Sequence, residues 1–232
     1  MRRAVLFDLG ETLVGYIRPG TFGEVLPLSL EAAAACLEAG GAVLAPDWRS
    51  RVELGDGENA DCTVRPMARR LSAVFGVAEG LLLDGACRAF LGPVFARAEV
   101  YLDTVPTLRA LRAAGIKTGV LSNAPWGAPP EPWREELARL GLAPLLDVAL
   151  FCGDTGYRKP APPGFRLALD RMGVTAADTL FVGDRPTWDV DGPRAAGLCP
   201  VLIAREGEPP DVPGLPIIRT LAEVPALCGL KG

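Results

Sequence analysis

Short apolar, β-branched runs alternate along this chain with segments of helical period, and that alternation restricts the fold to a parallel sheet with crossover helices. The runs that read as strands are residues 4–7, 117–121, 147–151, 179–182 and 200–204, with a shorter one at 216–218. Between them Trp133, Leu137 and Leu140, and then Phe165, Ala168, Leu169 and Met172, recur at the three- and four-residue spacing of a buried helical stripe. Those residues are core. With 49% of its 232 residues hydrophobic, the chain can bury a full core and carry a smaller unit beside it.

One interval breaks the rhythm. Between the first strand and Thr104, where the βα pattern resumes around Leu108 and Leu111, the residues look helical: Leu30, Ala33 and Leu37 form one stripe, and Met67, Leu71, Val74 and Phe75 another. Residues 81–95 are a further helical candidate. The expectation is an α/β protein with a three-layer, Rossmann-like core at residues 1–15 and 99–232, and a small α-helical cap inserted at 16–98. Ligands in open α/β sheets sit beyond the C-terminal ends of the strands, so such an insertion covers the site as a lid. The Pro-rich stretch 208–216 reads as a surface loop.

Composition excludes several chemistries. The chain has no histidine, which removes Ser-His-Asp and Cys-His catalysis and every His-ligated zinc or iron site. Its six cysteines lie far apart with no C-x-x-C pair, the pattern of reduced, mostly buried thiols in a cytoplasmic protein. A net charge of −4, without a stripe of Lys or Arg, argues against nucleic acid as a partner. No apolar run approaches the roughly 20 residues of a membrane span, and the apolar stretch before Asp8 is too short for a signal peptide. The expected location is the cytoplasm, and no pattern specifies an oligomeric state.

A carboxylate directly after a buried strand faces ligand while the sheet fixes its backbone. Asp8 stands so after the first strand, with Gly10 and Thr12 following in a tight loop. Taken alone it reads as a turn or helix-capping aspartate, but the arrangement recurs. The run 179–182 ends in Gly183-Asp184, and Asp189 follows after four intervening residues. Asp191 competes with Asp189 for the same role, and capping of the following helix is the structural alternative for either. Two carboxylates in one loop beside a third on a neighbouring strand form a hard-oxygen site suited to Mg²⁺, whose mutual repulsion a cation relieves. The run 117–121 ends in Ser122-Asn123, a hydroxyl and an amide where a phosphate oxygen can be held. Lys159, in Gly156-Tyr157-Arg158-Lys159-Pro160, is the natural partner to neutralise Asp8 and a transferred phosphoryl group.

Four segments in this order resemble the haloacid dehalogenase-like hydrolase superfamily: Phe7-Asp8-Leu9-Gly10-Glu11-Thr12-Leu13, Val120-Leu121-Ser122-Asn123, Arg158-Lys159-Pro160, and Val182-Gly183-Asp184 with Asp189 and Gly192. The resemblance implies hydrolysis of a small phosphorylated molecule, with Asp8 attacking phosphorus to form an aspartyl-phosphate that water then cleaves. It also implies Mg²⁺ held by the Asp8 carboxylate, the Gly10 carbonyl, Asp184 and Asp189. Thr12 would stabilise the nucleophile loop, Ser122 and Asn123 would orient the phosphoryl oxygens, and Lys159 would balance charge.

One departure matters. Phosphatases of this superfamily usually carry a second aspartate two residues after the nucleophile as general acid and base, and here that position is Gly10. Glu11 is the nearest replacement. General acid-base help is worth about 10²–10⁴ in rate, so the chain is expected to be slow, restricted to good leaving groups, or dependent on another acid. Two other readings stand beside phosphatase. One is a weak or inactive member that binds a phosphorylated ligand or a partner. The other is a 2-haloacid dehalogenase, against which the Gly183-Asp184 metal pair weighs. Arg18, Arg49, Arg51 and Arg65 in the insertion are candidates to meet an anionic substrate.

Overall fold

The computed structural model describes residues 2–17, 21–55, 61–208 and 212–230. Its elements run β1 (Ala4–Phe7), β2 (Val14–Gly15), α1 (Phe22–Ala39), a 3₁₀ segment (Trp48–Gly55), α2 (Met67–Phe75), α3 (Leu81–Phe95), β3 (Glu99–Val100), α4 (Thr104–Ala113) and β4 (Lys117–Ser122). There follow α5 (Pro130–Arg139), β5 (Val148–Phe151), the single turn α6 (Cys152–Thr155), α7 (Pro162–Met172), β6 (Thr179–Gly183), a wide turn (Pro186–Asp191), α8 (Gly192–Ala195), β7 (Cys199–Ile203), β8 (Ile217–Ile218) and α9 (Val224–Leu227). Among the described residues no helix is long and apolar enough to cross a membrane.

Six strands form one parallel sheet in the order β5-β4-β1-β6-β7-β8, the Rossmann-like α/β arrangement that the alternation predicts. β1 shows why its residues are continuously apolar. Ala4 and Leu6 join a cluster with Phe165, Ala168 and Met172, whereas Val5 and Phe7 join a cluster with Leu108, Leu111 and Val120. Successive side chains point to opposite faces, and both faces are covered by helices. Gly119 in β4 lies where neighbours leave no room for a side chain, since a Cβ there would sit 2.4 Å from Val148 Cγ1.

The strand expected at 147–151 begins one residue later. Asp147 turns its carboxylate to accept the Thr118 N–H at 2.8 Å and to pair with Arg112 at 3.3 Å. β2 and β3 form a separate antiparallel pair of two residues each, too short to leave a period in the sequence. Helices α1, α2 and α3, which follow the expected stripes, lie between these two short strands in the chain. Their apolar faces, including Leu30, Leu37, Leu71 and Phe90, are continuous with the cluster on the α4 side of the sheet. Residues 209–211 of the expected Pro-rich loop lie outside the described residues, as does Arg18.

The topology aims three chain segments at one place. β1 lies between β4 and β6, so the connections leave it in opposite directions and a crevice opens at its C-terminal end. The register pairs Phe7 with both Val120 and Val182. Asp8, Ser122 and Asp184 therefore emerge side by side.

The loop after β1 is braced from behind. Arg205, just past β7, donates to the Thr12 carbonyl at 2.7 Å and to both carboxylate oxygens of Asp103 at 3.0 Å, with its guanidinium 3.8 Å from the Tyr101 ring centroid. The Tyr101 hydroxyl donates to Glu11 Oε2 at 3.0 Å, and Glu11 Oε1 accepts the N–H groups of Tyr16 and Ile17 at 2.9 and 3.1 Å. These bonds hold Glu11 in a left-handed conformation, φ 56°, that a non-glycine residue adopts only under such constraint. Asp103 is further bound by the Thr220 hydroxyl at 2.6 Å and the Leu221 N–H at 2.8 Å.

Burial pushes the Asp103 carboxyl up, but Arg205, Thr220 and Leu221 outweigh it and hold it below the ordinary carboxylate value. A depressed folded-state value gives stability that is complete above the unfolded value near 3.8 and is lost as pH falls through the folded one. Asp103→Asn is expected to destabilise the protein at pH 7 by about 1–3 kcal/mol and to flatten the fall in stability below about pH 4. Urea titrations across that range check both, and an acid limb parallel to the wild type contradicts the assignment. For the core, Phe165→Ala is expected to cost about 3–5 kcal/mol by the same titration. Leu102→Ala, at a side chain 97% exposed, should stay within about 0.5 kcal/mol of wild type.

Candidate active site

The Asp8 N–H donates to the Val182 carbonyl at 2.8 Å, so the neighbouring strand fixes the backbone of the candidate nucleophile. Beside it Lys159, 4% exposed, places Nζ 2.9 Å from Asp8 Oδ1 and 2.7 Å from Asp189 Oδ1. The contact to Asp8 is an ion pair whose angles leave that oxygen without a hydrogen bond, whereas Asp189 accepts one from Nζ. Asp189 is fully buried, and its second oxygen accepts the Arg185 N–H at 2.9 Å. The preceding Gly183 leaves the room this needs, since a Cβ there would lie 2.4 Å from Asp189 Cγ. Asp191, the competing residue, is exposed. Asp184 reaches the site from the end of β6 and pairs with Arg185 Nε at 3.2 Å.

Asp8, Asp184 and Asp189 each offer a carboxylate oxygen, and these atoms lie within 4.8 Å of one another. Burial pushes the Asp184 carboxyl up to about 7, with the charges of Asp8 and Asp189 adding to it. Burial likewise lifts Asp189 to about 6, opposed by Lys159 and assisted by Asp8. For Lys159, burial works against the charged form, but Asp189 and Asp8 outweigh it and hold the ammonium above the ordinary lysine value. One buried cation thus faces three carboxylates that resist ionising together. A hard divalent cation fits that set of oxygen donors and that excess of negative charge.

The remaining residues singled out by sequence gather around this floor. Ser122, 8% exposed, lines the cavity above Asp8 together with Gly10. Asn123 lines it too, but its side chain is engaged elsewhere: Oδ1 accepts the Lys159 N–H at 2.8 Å and Nδ2 donates to the Lys159 carbonyl at 3.1 Å. Its amide therefore positions the lysine backbone. Thr12 is fully buried with its hydroxyl unpartnered, and its carbonyl is the one Arg205 holds. Glu11, the nearest carboxylate to replace an acid at position 10, has both oxygens bound by Tyr16, Ile17 and Tyr101.

The cavity has a volume of about 350 Å³, and its arginines are Arg70, Arg158 and Arg185. Of the arginines expected from the insertion, the described ones, Arg49, Arg51 and Arg65, do not line it. Arg49 pairs with Glu31 at 2.7 Å and Arg51 with Asp47 at 2.9 Å, both at the surface. Arg65 contributes its carbonyl to Arg70 Nε at 3.4 Å. Arg70 itself is 5% exposed, on the buried face of α2 between Met67 and Leu71. A charge interrupting an apolar stripe was the available signal for it.

Over 220 residues the chain is 36% identical to the phosphoglycolate phosphatase of Rhodospirillum rubrum, covering 89% of this chain and 81% of that protein. It is 33% identical over 132 residues to (S)-2-haloacid dehalogenase 1 of a Pseudomonas species, covering 56% of each. The crystal structure of a HAD phosphatase from Thermococcus onnurineus superposes with a TM-score of 0.67 at 25% identity over 98% of both chains. Residues 2–197 match the family profile described as haloacid dehalogenase-like hydrolase, and the chain belongs to that family.

Proposed function

We propose that this chain is a Mg²⁺-dependent phosphatase of a small phosphorylated molecule and that it works through an aspartyl-phosphate on Asp8. The observation that carries this reading is the buried Lys159 ammonium held between Asp8 Oδ1 and Asp189 Oδ1 at 2.9 and 2.7 Å, with Asp184 beside them. Phosphatases among its relatives support it, with phosphoglycolate phosphatase aligned over most of both chains. The haloacid dehalogenase relative represents the alternative chemistry. Three crowded carboxylates weigh against that, because displacing a halide calls for no divalent cation.

Mg²⁺ bound by Asp8, Asp184, Asp189 and the Gly10 carbonyl would supply the charge that lets the carboxylates and a phosphate coexist. The chain's own groups do the rest. An Asp8 oxygen attacks phosphorus, and the bond to the leaving oxygen breaks with its electron pair. Lys159, beside Asp8, neutralises the approaching phosphoryl group. The Ser122 hydroxyl donates to a phosphoryl oxygen, and Asn123 keeps Lys159 in place. Arg205, through the Thr12 carbonyl, keeps the Asp8 loop from shifting, which matters because reaction rate depends steeply on alignment. We propose further that residues 16–98 act as a cap whose movement opens and closes the cavity over Asp8.

A second reading rests on Gly10, which has no side chain to move a proton: a weak or inactive protein that binds a phosphorylated ligand. A Cβ at position 10 would meet nothing nearer than Tyr16 Cδ2 at 4.0 Å, so an aspartate fits there. Phosphate release from a panel of esters is expected to need Mg²⁺, to vanish with EDTA and in Asp8→Asn, and to drop by about 10²–10³ in Lys159→Ala. Turnover that survives Asp8→Asn sinks the mechanism. Silence of the wild type relieved by Gly10→Asp identifies a competent site that lacks only its acid, and silence of both the wild type and Gly10→Asp supports the binding role.

A further inference from the structure

Resting on the phosphatase reading, we infer that the substrate class is an aryl phosphate, a phosphate carried on an aromatic hydroxyl whose ring is received by the aromatic wall of the cavity over Asp8. Two independent features converge on it, one in the wall and one at the proton.

The wall includes Tyr16, Phe22, Trp126, Trp133 and Trp188, so three of the four tryptophans of the chain surround one cavity of about 350 Å³. The ordinary account of such residues is core packing, and it covers part of the set. Trp133 packs edge-on to Tyr16 at 5.5 Å and stacks on Phe151 at 5.8 Å, and Trp126 stacks on Phe90 at 5.3 Å. It does not cover Trp188, which is partly exposed, joins none of the apolar clusters of the fold, and has the guanidiniums of Arg158 and Arg185 at 5.9 and 6.0 Å from its ring. Nor does packing alone explain Trp126, which is held at φ 54° in the loop leaving Ser122-Asn123. Its neighbour Gly127 is pressed so closely to Arg65 that a Cβ would lie 2.1 Å from that carbonyl oxygen. A non-glycine residue kept in the left-handed region beside a reactive cavity is a typical mark of a site that needs that side chain there. Rings fixed in this way suit an apolar, planar ligand.

The proton argument is separate. Position 10 has no side chain, both oxygens of Glu11 are bound by three donors, and the chain has no histidine. The proton donors usual for a leaving oxygen are thus missing, and a leaving group able to depart as an anion is the one this site suits. An aromatic hydroxyl has a pKa of about 10 against about 16 for water, with simple alcohols close to water, so an aryloxide leaves unprotonated far more readily than an alkoxide. Arg70 and Arg158, whose guanidiniums donate to the Arg65 and Ala124 carbonyls, line the wall and lend it positive charge. The balance is complete without an added acid. The Asp8–phosphorus bond forms, the phosphorus–oxygen bond breaks with its electrons on the aryloxide, and water then attacks phosphorus. Asp8 is released as carboxylate, one of the water's two protons leaves on the phosphate, and the other is taken up through solvent by the aryloxide.

Binding decides the case, because aryl esters react faster than alkyl esters at many sites. With Mg²⁺ present, phenylphosphonate and ethylphosphonate, neither hydrolysable, are titrated against tryptophan fluorescence and by calorimetry. Phenylphosphonate is expected to bind about tenfold tighter or better, and Trp188→Ala to remove that difference, with Phe22→Ala as the second variant should the first not fold. In turnover, Gly10→Asp is expected to raise the rate on ethyl phosphate by about 10²–10⁴ and to change the rate on phenyl phosphate much less. Equal affinity for the two phosphonates overturns the inference, as does an equal gain on both esters. Absence of phosphate release from both esters, in the wild type and in Gly10→Asp alike, sinks the phosphatase reading instead, and the binding comparison still decides the ligand class.

Discussion

Lys159 Nζ, shut away from water and set 2.9 Å from Asp8 and 2.7 Å from Asp189, is the interaction around which the rest of the molecule is arranged. An ammonium in such a place is tolerable only while its partners stay put, since breaking a buried pair costs about 3–5 kcal/mol. Each partner is accordingly held by something else. Asn123 clamps the Lys159 backbone at both its N–H and its carbonyl, the Arg185 N–H fixes Asp189, and a β6 bond fixes Asp8. Gly183 belongs to the same system by having no side chain where the Asp189 carboxyl must lie. The four separated segments are thus one electrostatic unit, and the parallel sheet is what brings their ends to a common edge.

The loop that carries Asp8 is restrained on the side away from the cavity by a different set of groups. Arg205 links the Thr12 carbonyl to Asp103 and to the face of Tyr101, and Tyr101 reaches Glu11. Glu11 in turn accepts the N–H groups of Tyr16 and Ile17, where the chain leaves for α1, while Tyr101 and Asp103 stand where it returns after β3. Both crossings between the sheet and helices α1 to α3 are therefore tied to the nucleophile loop. This explains why Glu11 cannot be read as a spare acid beside Gly10: its charge is a structural anchor for the crossing.

What could be read from the chain in advance follows from how local the physics is. β1, β4, β6 and β7 were legible because burial on both faces makes them continuous apolar runs, and α4, α5 and α7 because one buried face imposes a helical period. Asp8 and Asp184 were legible because strand ends point at the crevice, and Asp189 and Lys159 because they stand in the segments that leave β6 and β5 on that same side. The exact start of β5 was not, because Asp147 is drawn out of the strand by Thr118 and Arg112. Nor were the Arg205–Asp103 and Tyr101–Glu11 contacts, 102 and 90 positions apart, which leave no periodic trace. Arg70 did leave one, as the single charge on the buried face of α2, and it marks the cavity better than the surface arginines Arg49 and Arg51.

The floor and the walls of the cavity answer different questions. The floor is made by strand ends, whose spacing is fixed by hydrogen-bonded register, so its carboxylates and lysine can specify a reaction with little freedom to vary. Apart from Trp133 on α5, the aromatic walls come from Tyr16, Phe22, Trp126 and Trp188, on loops and on the first turn of α1, where register imposes nothing and side-chain identity can drift without harming the sheet. A relative that shares the floor is therefore informative about bond-making, and much less so about what is bound. In this chain the walls are unusually rich in rings and Gly10 leaves the floor without a proton carrier, so the ligand and the leaving group are constrained by residues that a match to the family's motifs does not capture.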